Sequence, residues 1–120
     1  MSTYKLVFTL TIVLFASCTN IAYAKDKIVN ATWYQEGKKT ANGEKFDPDG
    51  FTAASRTLPF GTILKLTNIK TNETAIVRIN DRGPFVKGRD LDVSRGVAKT
   101  LGFFKTGTAK LKLEIVKDLN

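Results

Sequence analysis

Apolar and polar positions alternate through most of the chain beyond residue 26. Lys27–Tyr34 sets Val29, Ala31 and Trp33 against Ile28, Asn30 and Thr32, the period of two of a strand, before Gln35-Glu36-Gly37 turns the chain. Ile63, Leu64 and Leu66 place a second strand in Thr62–Thr67. The polar run Asn68–Glu73 predicts a hairpin loop, and the chain returns through Thr74–Asn80, where Val77 and Ile79 alternate with Arg78 and Asn80. Gly88–Val93 predicts a short strand through Leu91 and Val93. Ser94 stands where it can cap a helix with apolar positions Val97, Ala98 and Leu101, closed by Gly102, although Gly96 works against a helix there. The last strand, Thr108–Val116, turns Ala109, Leu111, Leu113 and Ile115 inward and Lys110, Lys112 and Glu114 outward.

Lys38–Ser55 is the longest stretch without clear periodicity, and it holds Gly43, Pro48 and Gly50 among Glu44, Asp47 and Asp49. Loops of that length in a small domain tend to carry function. Asp47-Pro48-Asp49-Gly50 has the residue types of a calcium loop but lacks the further spaced ligands and the distal glutamate, so no metal and no cofactor is expected. Several short strands, one short helix and long Gly/Pro loops predict an all-β fold, a small closed barrel with one small helix.

The first 24 residues differ in kind. Lys5 is the one charged side chain before Lys25, and Leu6–Ala16 is apolar apart from Thr9 and Thr11. Such a stretch is too short to span a bilayer, and Ala22-Tyr23-Ala24 supplies a small-x-small cleavage pattern. Residues 1–24 are therefore expected to be a signal peptide and 25–120 a single exported domain. A second reading is a lipoprotein signal ending before Cys18, in Phe15-Ala16-Ser17-Cys18, with Cys18 lipidated and the protein anchored to the outer membrane. Contact with a membrane is expected only in that case. From Lys25 onward there are 18 basic and 11 acidic residues, a formal charge of +7. An exported basic domain favours an anionic polymer or surface over nucleic acid. The chain has no histidine, which excludes Ser-His-Asp and Cys-His catalysis and histidine-held metals.

Candidate chemistry centres on Ile76–Phe85. A strand with one buried face runs into Asp81-Arg82-Gly83-Pro84, where glycine permits and proline fixes the backbone of a sharp turn. A carboxylate and a guanidinium are thus delivered at a rigid strand end. The plainer reading is an aspartate that stabilises its own turn and pairs with Arg82 or Arg89. Trp33 and Tyr34 point to opposite faces, which suits Trp33 to the core and Tyr34 to stacking on a sugar ring.

These motifs together resemble the rare lipoprotein A family. The blocks are Ala31-Thr32-Trp33-Tyr34, Thr40-Ala41-Asn42-Gly43-Glu44-Lys45-Phe46-Asp47, Thr52-Ala53-Ala54, Thr57–Thr62, Val77–Phe85, Gly88-Arg89 and Asp92-Val93-Ser94, in order from Ala31 to Val116. The resemblance implies a six-stranded double-psi β-barrel, related to expansins, and a periplasmic or cell-envelope protein acting on peptidoglycan glycan strands. It implies lytic transglycosylase activity giving 1,6-anhydro-muramic ends, with Asp81 as the catalytic acid and Glu44 as its partner, or the two roles exchanged. Tyr34, Arg82, Asn80 and Thr40 are the implied supporting and substrate-binding residues, joined by Ser55, which stands where active members carry a histidine. Serine can hydrogen-bond but cannot carry charge near neutral pH, so the alternative is an expansin-like module that grips glycan through Tyr34, lysines and arginines without cutting it. A third reading uses the barrel as a scaffold for an effector or inhibitor. A monomer is expected, and no septal targeting, since many relatives owe that to an additional glycan-binding domain.

Overall fold

Six strands and one short helix make up the computed structural model, which describes residues 26–117 apart from residues 36 and 38. The expected signal peptide and Cys18 lie outside the described residues. The strands are β1 (Lys27–Tyr34), β2 (Thr52–Ala54), β3 (Ile63–Asn68), β4 (Thr74–Asp81), β5 (Leu91–Ser94) and β6 (Thr108–Lys117), with α1 (Arg95–Thr100) between the last two. They close into a barrel in the order β1-β5-β2-β4-β3-β6. β1 with β5 and β2 with β4 are parallel pairs, and the other four pairings are antiparallel. This is the double-psi barrel that the motifs imply, and closure gives each of the six strands a neighbour on both sides.

The alternation read from the sequence becomes the inside and outside of the barrel. Leu64, Leu66, Val77, Ile79, Leu91 and Leu111 are fully buried inside it. Such side chains contribute about 1.5–3 kcal/mol each when removed from water. Ile115 departs from the predicted inner face: it is 45% exposed. Its strand outruns β1, whose pairing with β6 ends at Lys27–Leu113, so beyond that point β6 has β3 alone as a neighbour. Trp33 packs against the core with its ring stacked on Phe104 at 4.8 Å, and its Nε1 donates to the Phe104 carbonyl at 3.1 Å.

The helix forms in spite of Gly96. Ser94 accepts from the Val97 amide at 3.3 Å as its N-cap, and Val97, Ala98 and Leu101 are all buried. Gly96 is explained by contact: its N–H donates to the Pro48 carbonyl, and a Cβ there would lie 2.6 Å from the Asp49 carbonyl oxygen. The helix thus accepts the lower propensity of glycine to let the loop before β2 lie directly on it.

Candidate active site

β4 presents Arg78 and Asn80 on the face opposite Val77 and Ile79, which point into the core. Its parallel pairing with β2 is regular at Thr52–Arg78 and Ala53–Ile79, then skips a residue, so that Ala54 faces Asp81. A bulge of this kind re-aims side chains. Here it leaves the consecutive residues Asn80 and Asp81 both engaged with the same segment, the loop from Lys39 to Lys45. That loop is a miniature hairpin closed by a bridge between Lys39 and Lys45. The Thr40 amide donates to the Glu44 carbonyl at 2.8 Å, and the Thr40 hydroxyl donates to Asn42 Oδ1 at 2.6 Å. Gly43 turns the chain with φ of 94°, a value costly to other residues.

Glu44 is clamped. Its Oε2 accepts from Arg78 Nη1 at 2.7 Å and Asn42 Nδ2 at 3.0 Å, and its Oε1 accepts from Arg78 Nη2 at 2.9 Å and Asn80 Nδ2 at 3.1 Å. The bidentate guanidinium, then the two amides, lower its pKa to about 2. It is an anion throughout the neutral range. Asn80 is almost fully buried and its Oδ1 has no hydrogen-bond partner among the described residues.

Asp81 is half-buried at the end of β4. Its Oδ1 accepts from the Ala41 amide at 2.8 Å and from the Arg82 amide at 2.9 Å, while Oδ2 accepts from the Tyr34 hydroxyl at 3.3 Å. The turn-stabilising role anticipated for an aspartate here is therefore real, but one oxygen remains committed only to a phenol. Tyr34 stacks on Phe46 at 4.8 Å, and burial followed by the nearby Asp81 pushes its hydroxyl pKa up, so it stays a donor.

Arg82 does not pair with Asp81 through its guanidinium. Its Nη1 donates to the carbonyls of Ser55 and Leu58, and the cation lies 3.9 Å from the centre of the Phe60 ring. Ser55 is buried, and its Oγ accepts from the amides of Thr57 and Leu58 at 3.2 and 3.0 Å. Both residues fasten the loop after β2 under the Asp81 turn; neither side chain touches a carboxylate of the site. A 210 Å³ cavity beside Ser55, lined also by Arg56, Leu58 and Ile115, includes neither Asp81 nor Glu44. The acids of the Asp47–Gly50 turn are spoken for: Asp47 Oδ1 accepts from the Asp49 amide, and Asp49 pairs with Arg95 at 2.7 Å.

The structure thus brings Asp81, Glu44, Tyr34, Asn80 and Thr40 around one loop, whereas the side chains of Ser55 and Arg82 engage the loop after β2. Sequence reasoning passed over Arg78, Asn42 and the Ala41 amide. The period of two that put Arg78 on the face of Asn80 was a usable signal for the first; nothing local signalled the other two.

Comparison with known proteins shows the family. The family model described as lytic transglycolase matches residues 26–113. The endolytic peptidoglycan transglycosylase RlpA of Campylobacter jejuni is 47% identical over 89 residues, which are 72% of this chain and 32% of that protein. The chain thus spans about a third of the length of that curated relative. Among solved structures, the Streptomyces papain inhibitor superposes with a TM-score of 0.65 at 17% identity, over 78% of this chain and 96% of that one. The apo Clavibacter michiganensis expansin superposes with a TM-score of 0.63 at 21% identity, over 80% of this chain and 52% of that one. At such identities the two structures speak for the barrel alone.

Proposed function

The chain belongs to the lytic transglycolase family of double-psi β-barrel domains, and on that premise we propose that it is an exported cell-envelope enzyme that cleaves peptidoglycan glycan strands internally. The observation that carries this reading is the half-buried Asp81, held by the Ala41 and Arg82 amides and by Tyr34 on an open face of the barrel. An internal bond of a polymer must be approached from the side, and an open face suits that better than an enclosed pocket.

Asp81 in its acid form gives its proton to the glycosidic oxygen as the C1–O bond breaks and positive charge develops on the sugar. The 6-hydroxyl of the same muramic residue attacks C1 and its proton passes to the Asp81 carboxylate that the first transfer left, so the protein ends as it began and no water is consumed. The product is a 1,6-anhydro end. Glu44 is unsuited to the acid's part, because the Arg78 clamp keeps it ionised. It serves as a fixed anion that shapes the loop carrying the Ala41 amide. Thr40 and Asn80 hold the same loop, Tyr34 orients Asp81, and Ser55 with Arg82 support the turn. Residues 1–24 act as the signal peptide, and lipidation at Cys18 remains the alternative anchor.

Replacing Asp81 by Asn tests this directly. The expected result is a loss of anhydro product of about 10²–10⁴-fold, with co-sedimentation on purified sacculi unchanged. Undiminished product from Asp81→Asn would contradict it. One observation favours a second reading, a glycan-gripping module that does not cut: Ser55, at the family's histidine position, spends its hydroxyl on turn amides and offers the site no proton carrier. That reading expects sacculus binding without product from either form.

A further inference from the structure

The loop that leaves Asp81 carries a phenyl ring out of the protein. Phe85 is 80% exposed, against 43% for Phe51 and less for every other described phenylalanine, and Val86 beside it is 53% exposed. The backbone holds the ring out. One guanidinium grips both ends of the turn: Arg56 Nη1 donates to the Pro84 carbonyl at 2.7 Å and to the Arg89 carbonyl at 2.8 Å. Between them the Arg89 amide donates to the Val86 carbonyl at 3.1 Å. The ring lies against Gly83, where a Cβ would come within 3.5 Å of Phe85 Cε2. Two residues of chain reach at most about 7 Å, so Gly83 and the ring upon it stay close to Asp81. Phe85 and Val86 also border a shallow depression of 410 Å³, completed by Arg56, Lys87 and Gly88.

We propose that Phe85 is a stacking platform for a sugar ring of the glycan strand, close to the bond that Asp81 cleaves. Arg56 and Lys87, in the same depression, supply N–H donors for the hydroxyls of that sugar. The inference rests on the glycan reading above and adds a binding subsite to it. One face of a pyranose is lined with C–H bonds of slight positive charge, and the face of a phenyl ring is negative. Stacking the two removes apolar area from water while the hydroxyls, which radiate from the rim of the sugar, keep their hydrogen bonds. An aromatic side chain on a loop that is already held gives up little freedom when it meets a ligand. Phe85 and Val86 beside Lys87 and Arg89 have the composition of a tip for an anionic lipid surface as well. The place of the ring on the Asp81 turn favours the strand, because a lipid surface seated there would cover the turn that a polymer has to reach.

The test compares purified wild type with Phe85→Ala, Phe85→Leu and Phe85→Tyr, reading co-sedimentation with sacculi, product release and thermal unfolding. Phe85→Ala is expected to weaken sacculus binding and raise KM by about 3–10-fold, with the melting temperature unchanged because the ring is exposed. Phe85→Leu keeps apolar bulk without an aromatic face and is expected to fall with alanine, whereas Phe85→Tyr keeps the face and is expected to match wild type. Wild-type binding and KM in Phe85→Ala, or full rescue by leucine, overturns the platform and leaves the Asp81 reading intact. Phosphatidylglycerol vesicles give the lipid arm: sedimentation with them that Phe85→Ala loses, while its sacculus binding persists, assigns the ring to a membrane and overturns the proposal. Sacculus binding that depends on Phe85 without any product overturns the enzyme reading alone. Wild type that does not sediment with sacculi overturns both.

Discussion

Glu44 and Ser55 show how a residue's neighbours decide its use. Glu44 looks from its motif like half of an acid–base pair, yet four donors hold it as an anion with a pKa of about 2. A carboxylate whose pKa is lowered on folding stabilises the fold above its unfolded pKa, and that contribution is lost as pH falls through the folded value. The window is therefore from about pH 4.5 down to about pH 2. The Arg78–Glu44 pair is about 40% exposed on both sides, so screening holds its worth to about 1 kcal/mol or less. Melting temperatures of wild type and Glu44→Gln should differ at pH 6 and converge near pH 2; a constant difference would contradict the clamp. Ser55→Ala leaves the amides of Thr57 and Leu58 without their acceptor, and a loss of about 1–2 kcal/mol in chemical denaturation is expected. The sequence offered Ser55 as a supporting residue of the site; its actual partners are two and three residues away, a local serine turn that the Ser55-Arg56-Thr57 stretch was capable of showing.

Among the elements, five strands and the helix were legible because each has one wet and one dry face, whereas β2, three residues at the end of the aperiodic stretch, was not. β1, β3, β4 and β6 repeat every second residue, and the N-cap Ser94 marked the helix start. The loop from Lys39 to Lys45 was not legible, since it is shaped by contacts to β4 nearly 40 residues away in sequence: Ala41 to Asp81, and Glu44 to Arg78 and Asn80. The neighbours of Asp92 were equally hidden. Alternation puts Asp92 outside between Leu91 and Val93, but only the crossover pairing of β5 with β2 and β1 says what lies beside it. Packing of elements also explains the one residue that argued against the helix. Gly96→Ala places a methyl against the Asp49 backbone; backbone yields less readily than a side chain, so a loss of about 1–3 kcal/mol is expected, despite alanine's better helix propensity. An unchanged or raised melting temperature would contradict the close approach.

At the scale of the whole molecule, a closed barrel with a buried core provides a rigid frame for the loop that holds Asp81, and the proposed polymer substrate would be met there. The formal charge of +7 over residues 25–120 would add a long-range attraction if the proposed partner is an anionic wall. Raising salt from about 0.05 to about 0.5 M shortens the screening length about threefold, so sedimentation with sacculi should weaken over that range; salt-independent binding would assign the affinity to short-range contacts instead. The measurement that tests the central claim most directly is digestion of purified sacculi in water enriched in heavy oxygen, with the released muropeptides weighed by mass spectrometry. Intramolecular attack by the 6-hydroxyl predicts ends lighter by one water than hydrolysed ends, free of the heavy isotope and absent with Asp81→Asn. Ends that carry the heavy oxygen would mean hydrolysis, and no released fragments at all would mean a protein that holds the wall without cutting it.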